Sequence, residues 1–245
     1  MGLGEKFEFL EDGIDFPFYN DIPKLSAIDW TIVLFAVLLV VACIDFLYLP
    51  DGTFPIAFCL IMLIPALYIC KGDYGLFFKK VRLRDIRTIL LCLIGYYAYT
   101  LIVVVLLTLF NYESSSNAIL SSFANPSLLF IISICLQLLG EEFFKIFILL
   151  LVMHVVYKLT GNRGLCIALG IAATLFAFGM IHVNSYDGKI LQILLIQGLG
   201  TIFDLYAYMK TKNVLVSYIL HLLVDFIPFT LVFIGAMMAM PLPLI

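Results

Sequence analysis

The strongest constraint on this chain is its succession of long apolar runs, most of them long enough for a helix to cross a bilayer, separated by short polar turns. Hydrocarbon offers no partner to a backbone N–H or C=O, so each run must satisfy its own hydrogen bonds as a helix. The first run extends from about Ile28 to Leu49, with Trp30 and Tyr48 at its ends as interface anchors, followed by the turn Pro50-Asp51-Gly52. The second covers about Phe54 to Cys70, the third Thr88 to Phe110, and the long fourth Ser127 to Tyr157. The fifth spans about Leu165 to His182 and the sixth Ile190 to Met209. The last, Val214 to Met240, contains Pro228 and is expected to be one kinked helix or two. The expected fold is all-α, a polytopic transmembrane helical bundle of seven or eight spans.

Composition supports the same class. Of 245 residues, 64% are apolar and 13% are charged, where a soluble domain has about half and about a quarter. Mean hydropathy is +1.13. The formal charge of −3 argues against a nucleic-acid partner. No short apolar segment with a small-residue cleavage site is evident, so the first span is expected to serve as the insertion signal. Cys43, Cys59, Cys70, Cys92, Cys135 and Cys166 are scattered through apolar segments without a CxxC pair. They read as small buried hydrophobes rather than zinc ligands.

Charge also sets orientation. Six basic residues, Lys71, Lys79, Lys80, Arg82, Arg84 and Arg87, follow the second span. Lys158 and Arg163 follow the fourth, and Lys210 and Lys212 the sixth. The loops after spans one, three and five are nearly free of lysine and arginine, so the N-terminus and the basic loops are expected on the cytosolic side. Residues 1–27 are polar and acidic, with an interfacial helix expected around Lys6 to Leu10.

A few ionisable residues interrupt the apolar runs: Asp45, Glu141, Glu142, Lys145, His154, His182, Asp204, His221 and Asp225. Charge inside a bilayer costs roughly a few kcal/mol per group even on lenient scales. Glu141 and Lys145 are four apart and Glu142 and Lys145 three apart, so both pairs are neighbours on a helix. A structural ion pair accounts for the lysine and one glutamate and leaves the other carboxylate over. His221 and Asp225 share a helix face, an arrangement that orients an imidazole. His154 reads as interfacial, and Asp204 has Lys145 or a helix end as possible partners. Facing inward, the fourth, fifth and seventh spans would form one polar pocket. A glutamate there is suited to take a proton from water. The two histidines would then polarise a carbonyl or stabilise an oxyanion. There is no obvious serine or cysteine nucleophile. Zinc held by two histidines and a carboxylate is not excluded, although HExxH is absent.

These residues resemble the CAAX protease and bacteriocin-processing (Abi) family of intramembrane glutamic endopeptidases, whose pattern is EExxxR, then FxxxH, then HxxxN or HxxxD. Glu141-Glu142 matches the first element, Phe178 to His182 the second, and His221 to Asp225 the third. The resemblance covers about residues 127–226. It implies that Glu141 activates water for attack on a peptide bond and that Glu142 orients or charge-balances it. His182 would assist the water, and His221 and Asp225 would form the oxyanion side. The chain departs from the pattern at Ile146, where the family has arginine; Lys145, one residue earlier, is left as the charge-balancing cation. An EE pair followed by lysine is similar to the related PrsW-type membrane proteases.

The chain thus divides into a polar acidic segment 1–27, N-terminal transmembrane helices 28–126 and a catalytic-type helical core 127–245. No cofactor is expected. The expected partners are membrane lipids and a peptide or membrane-protein substrate, lipidated or not. The expected location is a multi-pass position in a prokaryotic plasma membrane. Two other functions fit the same residues: a bacteriocin-immunity or membrane-binding protein whose pocket binds without cutting, and a proton-coupled transporter.

At 1.5 Å per residue Glu141 lies roughly 24 Å from Tyr157, and His221 roughly 12 Å from the basic turn before it. Bringing them to one level requires helices that tilt and break, with Gly140, Gly170 and Gly179 as the candidate break points, or span boundaries several residues away from those given above.

Overall fold

The computed structural model describes residue 9 and residues 13–45, 53–116 and 125–239. Apart from Phe9, the expected helix at Lys6 to Leu10 lies outside the described residues, as do the anchor Tyr48 and the turn at Pro50 to Gly52. The helices are α1 (Ala27–Asp45), α2 (Phe54–Ile69), α3 (Leu83–Leu109), α4 (Leu128–Thr160) and α5 (Arg163–Met180). They are followed by α6 (Ile190–Gln192), which runs into a π-helical stretch Ile193–Gly198, then α7 (Ile202–Thr211) and α8 (Val214–Ala239). No strand occurs among the described residues. Among the described residues, six helical stretches are long and apolar enough to cross a membrane: α1, α3, α4, α5, the run Ile190–Thr211 and α8. The apolar α2 is shorter. The protein is an all-helical, multi-pass membrane protein.

Local chemistry explains where the helices begin and end. Ser26 and Asp29 cap α1 reciprocally, the Asp29 carboxylate accepting from Ser26 N–H at 2.7 Å and the Ser26 hydroxyl accepting from Asp29 N–H at 3.2 Å. Ser127 opens α4 by accepting from Phe130 N–H at 3.1 Å, and Asn162 opens α5 by accepting from Leu165 N–H at 3.0 Å. Between those two helices Gly161 takes the left-handed conformation (φ +63°) that ends α4. Pro228 does not split the last run: α8 is a single helix through it.

α4 is the centre of the bundle. It packs on α1, α2, α5 and α8, while α3 lies against α7 and α8. The glycines that the sequence marked as break points are contact points instead. α4 is continuous through Gly140, and α5 through Gly170 and Gly179. A Cβ on Gly140 would stand 3.0 Å from the Cys59 backbone, so the missing side chain is what lets α2 and α4 touch. At Gly179 and Gly198, α5 crosses the π-helical stretch; a Cβ on Gly198 would stand 3.0 Å from the Leu175 carbonyl oxygen.

Breakage at these glycines does not account for the depth mismatch. With 33 residues, α4 is about 50 Å long, well beyond a hydrocarbon core of about 30 Å. Its last turns are covered by the segment before α1. Tyr157 meets Tyr19 with ring centroids 5.1 Å apart, and His154 stacks on Trp30 at 4.2 Å. His154 and Trp30, expected at an interface, therefore pack on each other. Asp15 clamps Arg163 through Nη2 at 2.7 Å and Nε at 3.2 Å.

Candidate functional site

Three helices and the turn after α5 deliver polar and ionisable groups to one place. α4 contributes Gln137, Glu141, Glu142 and Lys145; α7 contributes Asp204; α8 contributes His221 and Asp225; and His182 sits two residues past the end of α5. Glu141, Glu142, Lys145, Asp204 and His221 are all buried. Unpaired charge at that depth would not persist, so the pairing is informative.

Glu142 is the hub. Its Oε1 takes a hydrogen bond from His221 Nδ1 at 2.8 Å and forms an ion pair with Lys145 Nζ. Lys145 also meets Asp204 Oδ2 at 3.3 Å, and its ammonium lies 3.4 Å from His221 Nδ1 and 4.8 Å from the centre of the Phe178 ring. Lys145 therefore serves Glu142 and Asp204 together, which settles Asp204's partner. Asp204 Oδ1 is buried without a hydrogen bond. Glu142, Asp204 and His221 also have metal-ligand spacing, within 4.8 Å of one another. The Lys145 ammonium contacts all three of these groups.

Glu141 faces the other way. Gln137, one turn earlier on α4, donates to Glu141 Oε1 at 2.8 Å. The second oxygen, Oε2, lies 3.8 Å from His221 Nε2, and Asp225 Oδ2 lies 3.9 Å from the same nitrogen. Both separations exceed a direct hydrogen bond and leave room for a bridging atom. Glu141, His182, His221 and Asp225 line one cavity of about 590 Å³. Aromatic side chains, including Tyr96, Tyr97 and Phe178, make up much of its wall.

The ring protons follow from the partners. Glu142 Oε1 accepts, so His221 Nδ1 carries a proton and Nε2 is the nitrogen turned toward Glu141 and Asp225. His182 Nδ1 is 2.7 Å from the Phe178 carbonyl oxygen, which likewise only accepts. His182 Nε2 then keeps its lone pair. Tyr97 fixes α8 beside the cavity by donating to the Val224 carbonyl at 2.8 Å, and Tyr99 donates to the Leu195 carbonyl of the π-helical stretch at 2.7 Å.

The structure brings together Glu141, Glu142, Lys145, His182, His221 and Asp225, all six residues marked in the sequence. Two further members were not assigned a place from sequence. Asp204 was seen as a costly charge with two possible partners. Gln137 was missed; its signal was a polar side chain one turn before Glu141 in an otherwise apolar stretch.

Such a bundle, with carboxylates and imidazoles around a buried cavity, defines a membrane protein equipped for acid–base chemistry. Residues 123–227 match the family model described as type II CAAX prenyl endopeptidase Rce1-like. The matched segment contains every residue of the cluster, and the resemblance carried by the three motifs is to this same family. The match supports a CAAX-type intramembrane protease kind of function. No curated protein and no solved structure gives a match to the chain.

Proposed function

We propose that the protein hydrolyses peptide bonds of membrane-associated or lipidated polypeptides with water activated by Glu141. The observation that carries this reading is the position of Glu141: its Oε1 is held by Gln137, while its Oε2 stands on the cavity wall 3.8 Å from His221 Nε2. A water beside Oε2 gives its proton to Glu141 as it attacks the peptide carbonyl, and the protonated glutamate then delivers that proton to the leaving amine. His182, whose Nδ1 proton is committed to Phe178, offers Nε2 as an acceptor that holds the water.

His221 lies on the oxyanion side. With its Nδ1 fixed by Glu142, the ring presents Nε2 to the developing negative charge when that nitrogen is protonated. A charged Asp225 would repel an oxyanion, so Asp225 acts by orienting His221 or in its protonated form. Glu142, Lys145 and Asp204 form the supporting layer. Lys145 replaces the family's arginine as the balancing cation, as a point charge without the bidentate fork. No metal takes part in this scheme.

The test is cleavage of membrane-associated peptide substrates by purified protein. Glu141→Gln removes the base with little change of shape and should abolish cleavage with the fold intact. Undiminished cleavage by that variant would end the assignment.

A further inference from the structure

We propose that two hydroxyls of α3, those of Tyr96 and Thr100, bind the peptide under attack, with Tyr96 donating a hydrogen bond to the oxyanion beside His221. The proposal rests on the hydrolytic reading above and adds to it two residues that lie outside the matched segment 123–227 and outside the three motifs.

Thr100 stands apart from the other helical threonines. Thr88 and Thr108, on the same helix, turn their hydroxyls back to the carbonyl four residues earlier, at 3.5 Å and 2.8 Å. Thr174 on α5, Thr211 on α7 and Thr230 on α8 do the same. Thr100 does not. Its Oγ1 is buried without a hydrogen-bond partner, and the residue lines the cavity that holds Glu141 and His221. A buried hydroxyl left unpaired is costly, and this one forgoes an acceptor on its own helix.

Tyr96 lines the same cavity one turn earlier on α3. Its neighbours Tyr97 and Tyr99 commit their hydroxyls to the Val224 and Leu195 carbonyls, at 2.8 Å and 2.7 Å. No such bond to a carbonyl ties the Tyr96 hydroxyl among the described residues. Its ring is fixed instead by packing, T-shaped against Tyr97 at 5.4 Å and against Phe203 at 6.2 Å. A Cβ on Gly200 would stand 3.1 Å from Tyr96 Cε2, so the bare glycine makes room for the ring.

The Tyr97 bond places this part of α3 against the reacting groups. Val224 directly precedes Asp225, which follows His221 by one turn of α8. Attack on the peptide carbonyl creates negative charge on the His221 side. Asp225 Oδ2, 3.9 Å from His221 Nε2, is an acceptor when charged, and Glu141 and His182 Nε2 are acceptors as well. A tyrosine hydroxyl is a neutral donor at any pH the enzyme meets. Tyr96 keeps its proton and shares it with the oxyanion as a hydrogen bond, and Thr100 bonds the backbone of the same peptide.

The experiment is cleavage of a quenched-fluorescent apolar peptide, with and without an S-farnesyl cysteine, by the purified full-length protein, with Tm recorded for every variant. Tyr96→Phe should lower kcat about a hundred- to a thousand-fold, the range for one lost oxyanion donor, with KM and Tm close to those of the parent. Asp225→Asn puts a donor in place of the acceptor beside His221, so in that background Tyr96→Phe should cost at least ten-fold less. A tyrosine with a purely structural role would cost the same in both. Thr100→Val keeps the shape and removes the unpaired hydroxyl, so it should raise KM while Tm stays equal or rises; Thr100→Ser should restore KM. Cleavage by Tyr96→Phe within two-fold of the parent, or equal losses in the two backgrounds, would overturn the proposal. Undiminished cleavage by Glu141→Gln would overturn the hydrolytic reading itself, whereas loss in Glu141→Gln without loss in Tyr96→Phe would overturn this inference alone.

Discussion

Glu142 Oε1 and His221 Nδ1 are 2.8 Å apart across the packing of α4 on α8. This contact ties the two elements that carry most of the site, and the adjacent glutamates have different partners. Glu142 is spent on Lys145 and His221. Glu141, held by a neutral amide, is left for the cavity.

That division predicts different costs of substitution. Lys145 is the cation shared by Glu142 and Asp204, and all three are buried. Lys145→Met would leave two carboxylates without it, a loss of about 3–5 kcal/mol for a broken buried pair. Thermal unfolding in detergent should show a large drop in Tm for Lys145→Met.

Gln137 tests positioning without removing a charge. Its amide donates to Glu141 Oε1 and lies one turn from the proposed base. Gln137→Leu should lower kcat about ten- to hundred-fold, the rate equivalent of losing a hydrogen bond of about 1.5–3 kcal/mol to a charged group. KM should change little, and Gln137→Asn should not restore the rate because its shorter side chain falls short of Oε1.

The α2–α4 contact makes a prediction about packing. A Cβ at residue 140 meets Cys59 backbone atoms, which cannot swing aside. Gly140→Ala should therefore cost about 1–3 kcal/mol through overpacking. Gly235→Ala has nothing within 4 Å and should be neutral or slightly stabilising by helix propensity. Comparison of the two melting curves separates packing from propensity.

Acid should loosen the cap over α4 and α5. Burial pushes the Asp15 carboxyl up, but hydrogen bonds from Arg163 and Tyr19 outweigh it and hold the group below its ordinary value. A lowered folded value means the contact contributes fully above the unfolded value, about 3.9, and is lost as pH falls through the lower folded one. Asp15→Asn should cost about 1–3 kcal/mol at neutral pH. The difference in Tm between the parent and this variant should shrink as pH is lowered below about 4.

Much of this was legible in the sequence because buried charge is expensive and helix spacing is regular. Glu141, Glu142, Lys145, His221 and Asp225 announce themselves by cost and by i,i+3 or i,i+4 neighbours. What was not legible depended on contacts between helices. Asp204 has no partner on its own helix, so only the fold shows that it shares Lys145. Gln137 carries no charge and raised no alarm. Gly140 and Gly179 read as break points because their role, close approach of a second helix, is set by the neighbour. Counting from Tyr157 placed Glu141 by the end of α4, and that end packs under the N-terminal segment.

The central claim is that Glu141 does chemistry while Glu142 holds the site together. The most direct measurement is cleavage rate and Tm, recorded side by side, for Glu141→Gln and Glu142→Gln of the purified protein. Glu141→Gln should lose cleavage by at least a thousand-fold and keep its Tm; Glu142→Gln should lose both. Full cleavage by Glu141→Gln, or wild-type stability and cleavage in Glu142→Gln, would contradict the account.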